Sequence, residues 1–252
     1  MPKLNRDGVN LHYEVHGRGP VILLSHGYSA TSKMWRGQIE PLTHAHTLAL
    51  WDMRGHGQSD SPEDLAAYSE AATVGDMAAI LDAIGAEDAI VGGLSLGGYM
   101  SLAFYRAHPA RVKALLIVDT GPGFRKDEAR ARWNATAIGT AERLEREGLA
   151  ALRSRTREVA TGDHRSADGL ARAARGMLTQ RDASVIDCLP TIAVPSLVIV
   201  GADDTPFLNA ADYMANKIPG AEKVIIPDAG HAANIDRPDA FNDAVTRFVR
   251  KL

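Results

Sequence analysis

Gly93-Leu94-Ser95-Leu96-Gly97-Gly98 is the stretch that decides how this chain folds. It directly follows a short apolar run at residues 89–91 and precedes a helix-favouring stretch beginning near Tyr99. A serine at so tight a strand-to-helix turn is held in a strained conformation, with its hydroxyl pushed out over the sheet edge. Small residues at Gly93 and Gly97 let neighbouring backbone pass closely on both sides. The N-terminus of the helix adds free N–H groups that stabilise developing negative charge. Ser95 therefore reads as a nucleophile. The bland alternative, a glycine-rich turn with an incidental serine, is disfavoured by the flanking strand and helix.

Working outward, similar continuous apolar runs occur at residues 21–24, 47–51, 114–118, 197–200 and 223–226. Such runs fit strands buried on both faces, as in a mostly parallel sheet. Helical stretches at residues 69–84, 99–107 and 238–249 lie between or after them, and this alternation predicts an α/β fold with helices on both sheet faces. The start of the chain differs. Val9, Leu11, Tyr13 and Val15 alternate with Asn10, His12, Glu14 and His16, the period of a half-exposed antiparallel strand. Asp7-Gly8 predicts a hairpin to a short strand at residues 4–6.

Residues 122–190 break the alternation. They contain helix-favouring sequence rich in Ala, Arg and Glu, with helices predicted at residues 140–151 and 167–178 and breaks at Gly139 and Gly162. The expected organisation is a core of residues 1–121 and 191–252, with 122–190 inserted as a small helical cap. The arginines of this segment (Arg130, Arg132, Arg143, Arg146, Arg153, Arg155 and Arg157) are interleaved with acids and read as a solvated face.

A serine hydroxyl needs a base, and Gly230-His231-Ala232 sits between the last strand and the last helix. Loops at the carboxyl ends of strands are where α/β sheets place ligand sites. His231 is thus the candidate base. His12 and His16 are assigned to the exposed strand face, and His44, His46 and His164 to the surface. The third member, an acid that orients the imidazole, is expected after the strand at 197–200, where Gly201-Ala202-Asp203-Asp204 offers two neighbours.

With these segments in place, the chain resembles the α/β-hydrolase superfamily from about Val9 to Leu252. The resemblance implies an eight-stranded, mostly parallel sheet and a serine hydrolase, most like the carboxylesterase and 3-oxoadipate enol-lactonase group. It places the acid three residues after the glycine ending the strand, at Asp204, with Asp203 a neighbour and Asp119 the weaker choice used by some relatives. Ser25-His26-Gly27-Tyr28 resembles the segment whose residue after His-Gly donates its backbone N–H to an oxyanion. That maps the donors to Tyr28 and Leu96, and His26 to loop support. Asp52-Met53-Arg54-Gly55-His56-Gly57-Gln58-Ser59-Asp60 is a further match, with a structural role. Epoxide hydrolases and haloalkane dehalogenases share that segment but carry aspartate where this chain has Ser95, which argues against both.

Composition narrows the remaining classes. The chain has 252 residues, 45% of them hydrophobic, enough for one sizeable core. A net charge of −3 argues against nucleic-acid or anionic-membrane partners. The single cysteine, Cys188, allows no intrachain disulfide and reads as a small apolar residue. No secretory h-region precedes the first strand, so a cytoplasmic location is expected. No cofactor or metal is called for, because the histidines are scattered. Phe124, Trp133 and Phe207, with Tyr28 and Leu96, are the expected apolar walls of the substrate pocket. The leading function is hydrolysis of a small to medium ester or lactone. A carbon–carbon bond hydrolase, with Arg125, Arg130 and Arg132 holding a substrate carboxylate, is the second reading. A non-catalytic small-ligand binder is the third.

Overall fold

Asp7 and Gly8 both adopt positive φ, 54° and 79°, which matches the twist of a two-residue hairpin turn. The turn joins β1 (Lys3–Arg6) to β2 (Val9–Gly17) in antiparallel register. The computed structural model describes residues 3–152 and 156–252, so Arg153 and Arg155 lie outside the described residues. The remaining strands are β3 (Val21–Ser25), β4 (Thr47–Trp51), β5 (Ala89–Leu94), β6 (Val112–Val118), β7 (Ser196–Gly201) and β8 (Glu222–Ile226). They form one eight-stranded sheet in the order β1-β2-β4-β3-β5-β6-β7-β8. β2 runs antiparallel to β4, and every later pairing is parallel.

Because successive side chains point to opposite faces, the apolar runs build two cores. Leu23, Trp51, Val91, Leu115 and Val198 pack beneath α2 (Glu70–Ala83), α3 (Leu96–Ala107) and α8 (Thr205–Lys217). Ile22, Leu50, Ile90, Leu116 and Ile199 face α1 (Arg36–Thr43) and α10 (Pro238–Val249). Strand β8, at one edge of the sheet, departs from the expected burial on both faces: Lys223 and Ile225, which share a face, are exposed where the helix layer over that face runs out. The exposed face assigned to His12 also needs correcting. His12 is buried because the loop at 52–60 folds over it, and its N–H donates to Ser59 Oγ at 2.9 Å. Val15, beyond that loop, is exposed instead. His44 is exposed, and His16 and His46 are half-buried.

Between β6 and β7 the described residues contain α4 (Asp127–Glu147), α5 (Arg157–Ala160), α6 (Ala167–Ala173) and α7 (Ser184–Cys188), and no strand. Gly139 does not break the first helix. A mid-helix glycine costs about 1 kcal/mol, too little to stop α4, whose Ala137, Ala141 and Leu144 are buried. The helix ends at Gly148, where φ is 61°. Ala141, Leu144, Leu170, Ala171 and Ala174 form a small core of their own. This helical segment rests on loops at the carboxyl ends of the strands. Tyr28 Oη donates to Leu170 O at 2.8 Å, and Gly169 and Gly55 pass so closely that a Cβ on Gly55 would lie 2.4 Å from Gly169 O. His164, expected at the surface, is instead wedged into this junction. Its Nε2 bonds Ser29 O at 2.8 Å, and its ring packs against His56 at 5.7 Å. Of the arginines in the segment, Arg130, Arg146 and Arg157 pair with Asp127, Glu147 and Asp236. Among the described residues, no helix is long and apolar enough to cross a membrane. α9 (Ala233–Asp236) is a single turn preceding α10.

Candidate active site

Ser95 links the end of β5 to the start of α3 with φ 56° and ψ −117°. A non-glycine residue in such a region carries strain of about 1–3 kcal/mol unless its surroundings fix it. They do: Ser95 N–H donates to Val118 O at 2.9 Å, and Ser95 O accepts from Thr120 Oγ1 at 2.6 Å. A Cβ on Gly97 would lie 2.3 Å from Ser25 O, and one on Gly93 2.6 Å from the same atom. Backbone therefore crosses where side chains would otherwise stand. α3 begins at Leu96, three residues before the expected start near Tyr99, because these glycines form its first turn rather than a preceding loop.

His231 lies in the loop after β8, and Asp204 immediately precedes α8. The buried Asp204 Oδ2 accepts a hydrogen bond from His231 Nδ1 at 2.8 Å. A carboxylate at Nδ1 places the imidazole proton there and leaves Nε2 with a free lone pair. Burial by itself lowers the His231 pKa, but the hydrogen bond and charge of Asp204, with Asp119 and Glu158 adding to it, raise it above the ordinary value of 6.5. Asp203 is exposed, and its N–H donates to Ala229 O at 2.9 Å. Asp119 faces backbone instead of the imidazole. It accepts from Gly201 N at 2.8 Å and Ala233 N at 3.3 Å, and burial pushes its carboxyl up to about 7.

Phe207, on the first turn of α8, connects the two halves. It stacks on His231 with centroids 4.9 Å apart and lines the same cavity as Ser95. Among the described residues, Ser95 Oγ and His231 are not hydrogen-bonded to each other. Such contacts tighten when substrate arrives. The cavity has a volume of about 140 Å³, and Leu96, Phe124, Trp133 and Phe207 line it. Tyr28 does not, because its side chain turns away to bond the helical segment at Leu170 O.

The backbone of Tyr28 is another matter. A Cβ on Gly27 would lie 3.5 Å from Ser95 Cβ, so this loop passes directly beside the serine. The N–H groups of Tyr28 and Leu96 donate to nothing among the described residues. His26 braces the loop, bonding Gly27 O at 2.7 Å through Nδ1 and accepting from Met53 N at 2.9 Å through Nε2. His56 accepts from Ser29 N at 3.2 Å, and burial holds its pKa well below 6.5. Arg54 pairs with the buried Asp76 through two hydrogen bonds of 2.7 Å, and Asp60 bonds Asn10.

Among the described residues, no arginine lines the cavity. Arg125 pairs with Asp187 at 2.6 Å on the surface, Arg130 bonds Asp127 and Phe124 O, and Arg132 projects from the exposed side of α4. The carboxylate clamp suggested for these three is therefore absent from the pocket. Cys188 is buried, and burial pushes its thiol up to about 11. Among the described residues, no group of three or more His, Cys, Asp or Glu side chains is placed to hold a metal ion. Thr120, Tyr99 and Gln180 also line the cavity and carry no motif. Of these, only Thr120 had a sequence signal, its place just beyond the carboxyl end of a buried run.

The family profile of the alpha/beta hydrolase fold matches residues 20–168. A protein of Azorhizobium caulinodans that carries the name of a carbamate hydrolase is 31% identical, over 100% of this chain and 99% of its own. The 3-oxoadipate enol-lactonase 1 of Acinetobacter baylyi is 28% identical, over 98% of this chain and 96% of its own. Among solved structures, a thermophilic esterase from Thermogutta terrifontis superposes with a TM-score of 0.87 at 27% identity, covering 100% of this chain and 99% of that one.

Proposed function

The chain belongs to the alpha/beta hydrolase fold family and is a hydrolase, and we propose that it cleaves small to medium carboxylic esters or lactones through an acyl-enzyme on Ser95. The observation that carries this reading is the 2.8 Å bond from His231 to the buried Asp204, beside a phenyl ring shared with the Ser95 cavity. The names of the enol-lactonase and esterase relatives support it.

In this reading His231 Nε2 takes the Ser95 proton as Oγ attacks the carbonyl carbon. The N–H groups of Tyr28 and Leu96 receive the oxyanion, charge that exists only in the transition state and the intermediate it leads to. His231 then protonates the leaving alkoxide, and the acyl group stays on Ser95. Water, deprotonated by His231, attacks the acyl carbon and releases the acid. Asp204 holds the imidazolium throughout through its bond to Nδ1. Residues 122–190 act as the cap that bounds the acyl site, and residues 1–121 and 191–252 as the core.

The test is turnover of p-nitrophenyl acetate with Ser95→Ala as control, together with labelling of Ser95 by a fluorophosphonate. Loss of turnover in a folded variant and labelling at Ser95 are expected. Turnover that survives Ser95→Ala overturns the proposal, and a wild-type serine that resists the probe points to a ligand-binding protein instead.

A further inference from the structure

Apart from Ser95, the polar side chains that line the cavity are nearly all occupied. Tyr99 Oη donates to Glu70 at 3.0 Å, Thr120 Oγ1 to Ser95 O at 2.6 Å, and Trp133 Nε1 to Leu178 O at 2.7 Å. Gln180 is the exception. Its side chain is buried, its Oε1 is shielded from solvent without a partner, and its amide nitrogen makes no hydrogen bond among the described residues.

The surroundings hold this amide in place without satisfying it. Asn134 on α4 clamps the Gln180 backbone from both sides, accepting from its N–H at 2.8 Å and donating to its carbonyl at 2.8 Å. Gly123, at φ 93°, leaves the space the side chain occupies: a Cβ there would lie 2.9 Å from Oε1. A buried amide left unpaired is unfavourable. Its retention in an otherwise apolar pocket is explained if the ligand supplies the partner.

We propose that Gln180 selects the substrate, its carboxamide hydrogen-bonding an uncharged oxygen function, a hydroxyl or a keto group, on the acyl part of the ester or lactone. This rests on the reading of Ser95 as an acylated nucleophile. The acyl group is the part that remains on Ser95 between the two half-reactions, so a wall of this cavity reads it in both. With Oε1 shielded, the amide nitrogen is the group that meets the ligand, and it serves either function because a hydroxyl and a keto oxygen both accept. A charged group is disfavoured by the lining, which contains no Lys or Arg among the described residues, and the size is limited by a cavity of about 140 Å³, close to the volume that accommodates a benzene-sized group.

The experiment compares kcat/KM for p-nitrophenyl 3-hydroxybutyrate and p-nitrophenyl butyrate, which differ only in the hydroxyl. It uses wild type, Gln180→Met and Ser95→Ala, with Gln180→Leu as a second variant should the first fail to fold and a thermal melt on each. Wild type should prefer the hydroxy ester by about ten- to a hundredfold, the cost of leaving one buried hydrogen-bonding group unpaired, and the ratio should collapse towards one in the Gln180 variants whatever their absolute rates. Equal wild-type rates, or a preference that survives Gln180→Met or Gln180→Leu, overturn this inference while leaving Ser95-dependent hydrolysis standing. Absence of any Ser95-dependent turnover overturns the hydrolase reading and this inference with it.

Discussion

Asp204 Oδ2 and His231 Nδ1, 27 residues apart in sequence, lie 2.8 Å apart at the carboxyl edge of the sheet. An amide in place of that carboxylate presents its NH2 or its weaker oxygen to the ring and no longer fixes the tautomer. Asp204→Asn should lower kcat/KM on p-nitrophenyl acetate by roughly 10³–10⁴-fold, whereas Asp203→Asn, altering an exposed side chain, should leave it near wild type. Reversed sensitivities of the two aspartates would assign the acid to Asp203 instead.

The same bond sets the pH dependence. In the proposed mechanism His231 acts as a base only when neutral, and its pKa is raised above 6.5 because the Asp204 bond and charge outweigh burial. Activity therefore falls as pH drops through a midpoint above 6.5, and the limb shifts towards acid in Asp204→Asn. A kcat/KM profile with a wild-type midpoint at or below 6.5 would contradict this.

Gly97 tests the turn itself. A methyl group there meets Ser25 O at 2.3 Å, a backbone atom fixed within β3. Gly97→Ala should cost about 3 kcal/mol, the upper end for overpacking, read from the midpoint of urea unfolding. Gly139→Ala, where a Cβ meets nothing within 4 Å, should instead be neutral or slightly stabilising.

His26, His56 and His164 pack in a row between the loops and the helical segment, with ring centroids 4.9 Å and 5.7 Å apart. Burial lowers the pKa of all three, that of His26 to about 4 despite the charge of Asp52. Between pH 6.5 and 4 the unfolded chain binds more protons at these rings than the folded one. Stability is thus fully present above 6.5 and lost as pH falls, by about 3 kcal/mol for His26 alone. Thermal melts across this window should show a shallower decline in His26→Asn than in wild type. An unchanged slope would count against the titration.

Much of the fold is legible because its signals are local. The strand runs at 21–24 and 47–51, the Asp7-Gly8 turn and the glycines around Ser95 each encode their conformation within a few residues. Gly139 misleads for the converse reason: a helix break is a local expectation, and the packing of Ala137 and Ala141 overrides it. His12 and His164 look like surface residues until distant loops cover them. α8 opens with Thr205-Pro206 and carries Phe207, yet no motif marks that ring as the partner of His231.

By itself, then, the sequence determined the strand–turn–helix around Ser95, because glycine spacing and short apolar runs act over distances the chain reaches unaided. Only the tertiary structure decided that Asp204 meets the imidazole while Asp203 faces solvent, and that Arg125, Arg130 and Arg132 stay outside the pocket. It alone left the Gln180 amide unpaired inside. Those outcomes depend on which elements converge at the carboxyl edge of the sheet, and convergence is a property of packing between segments far apart in the chain.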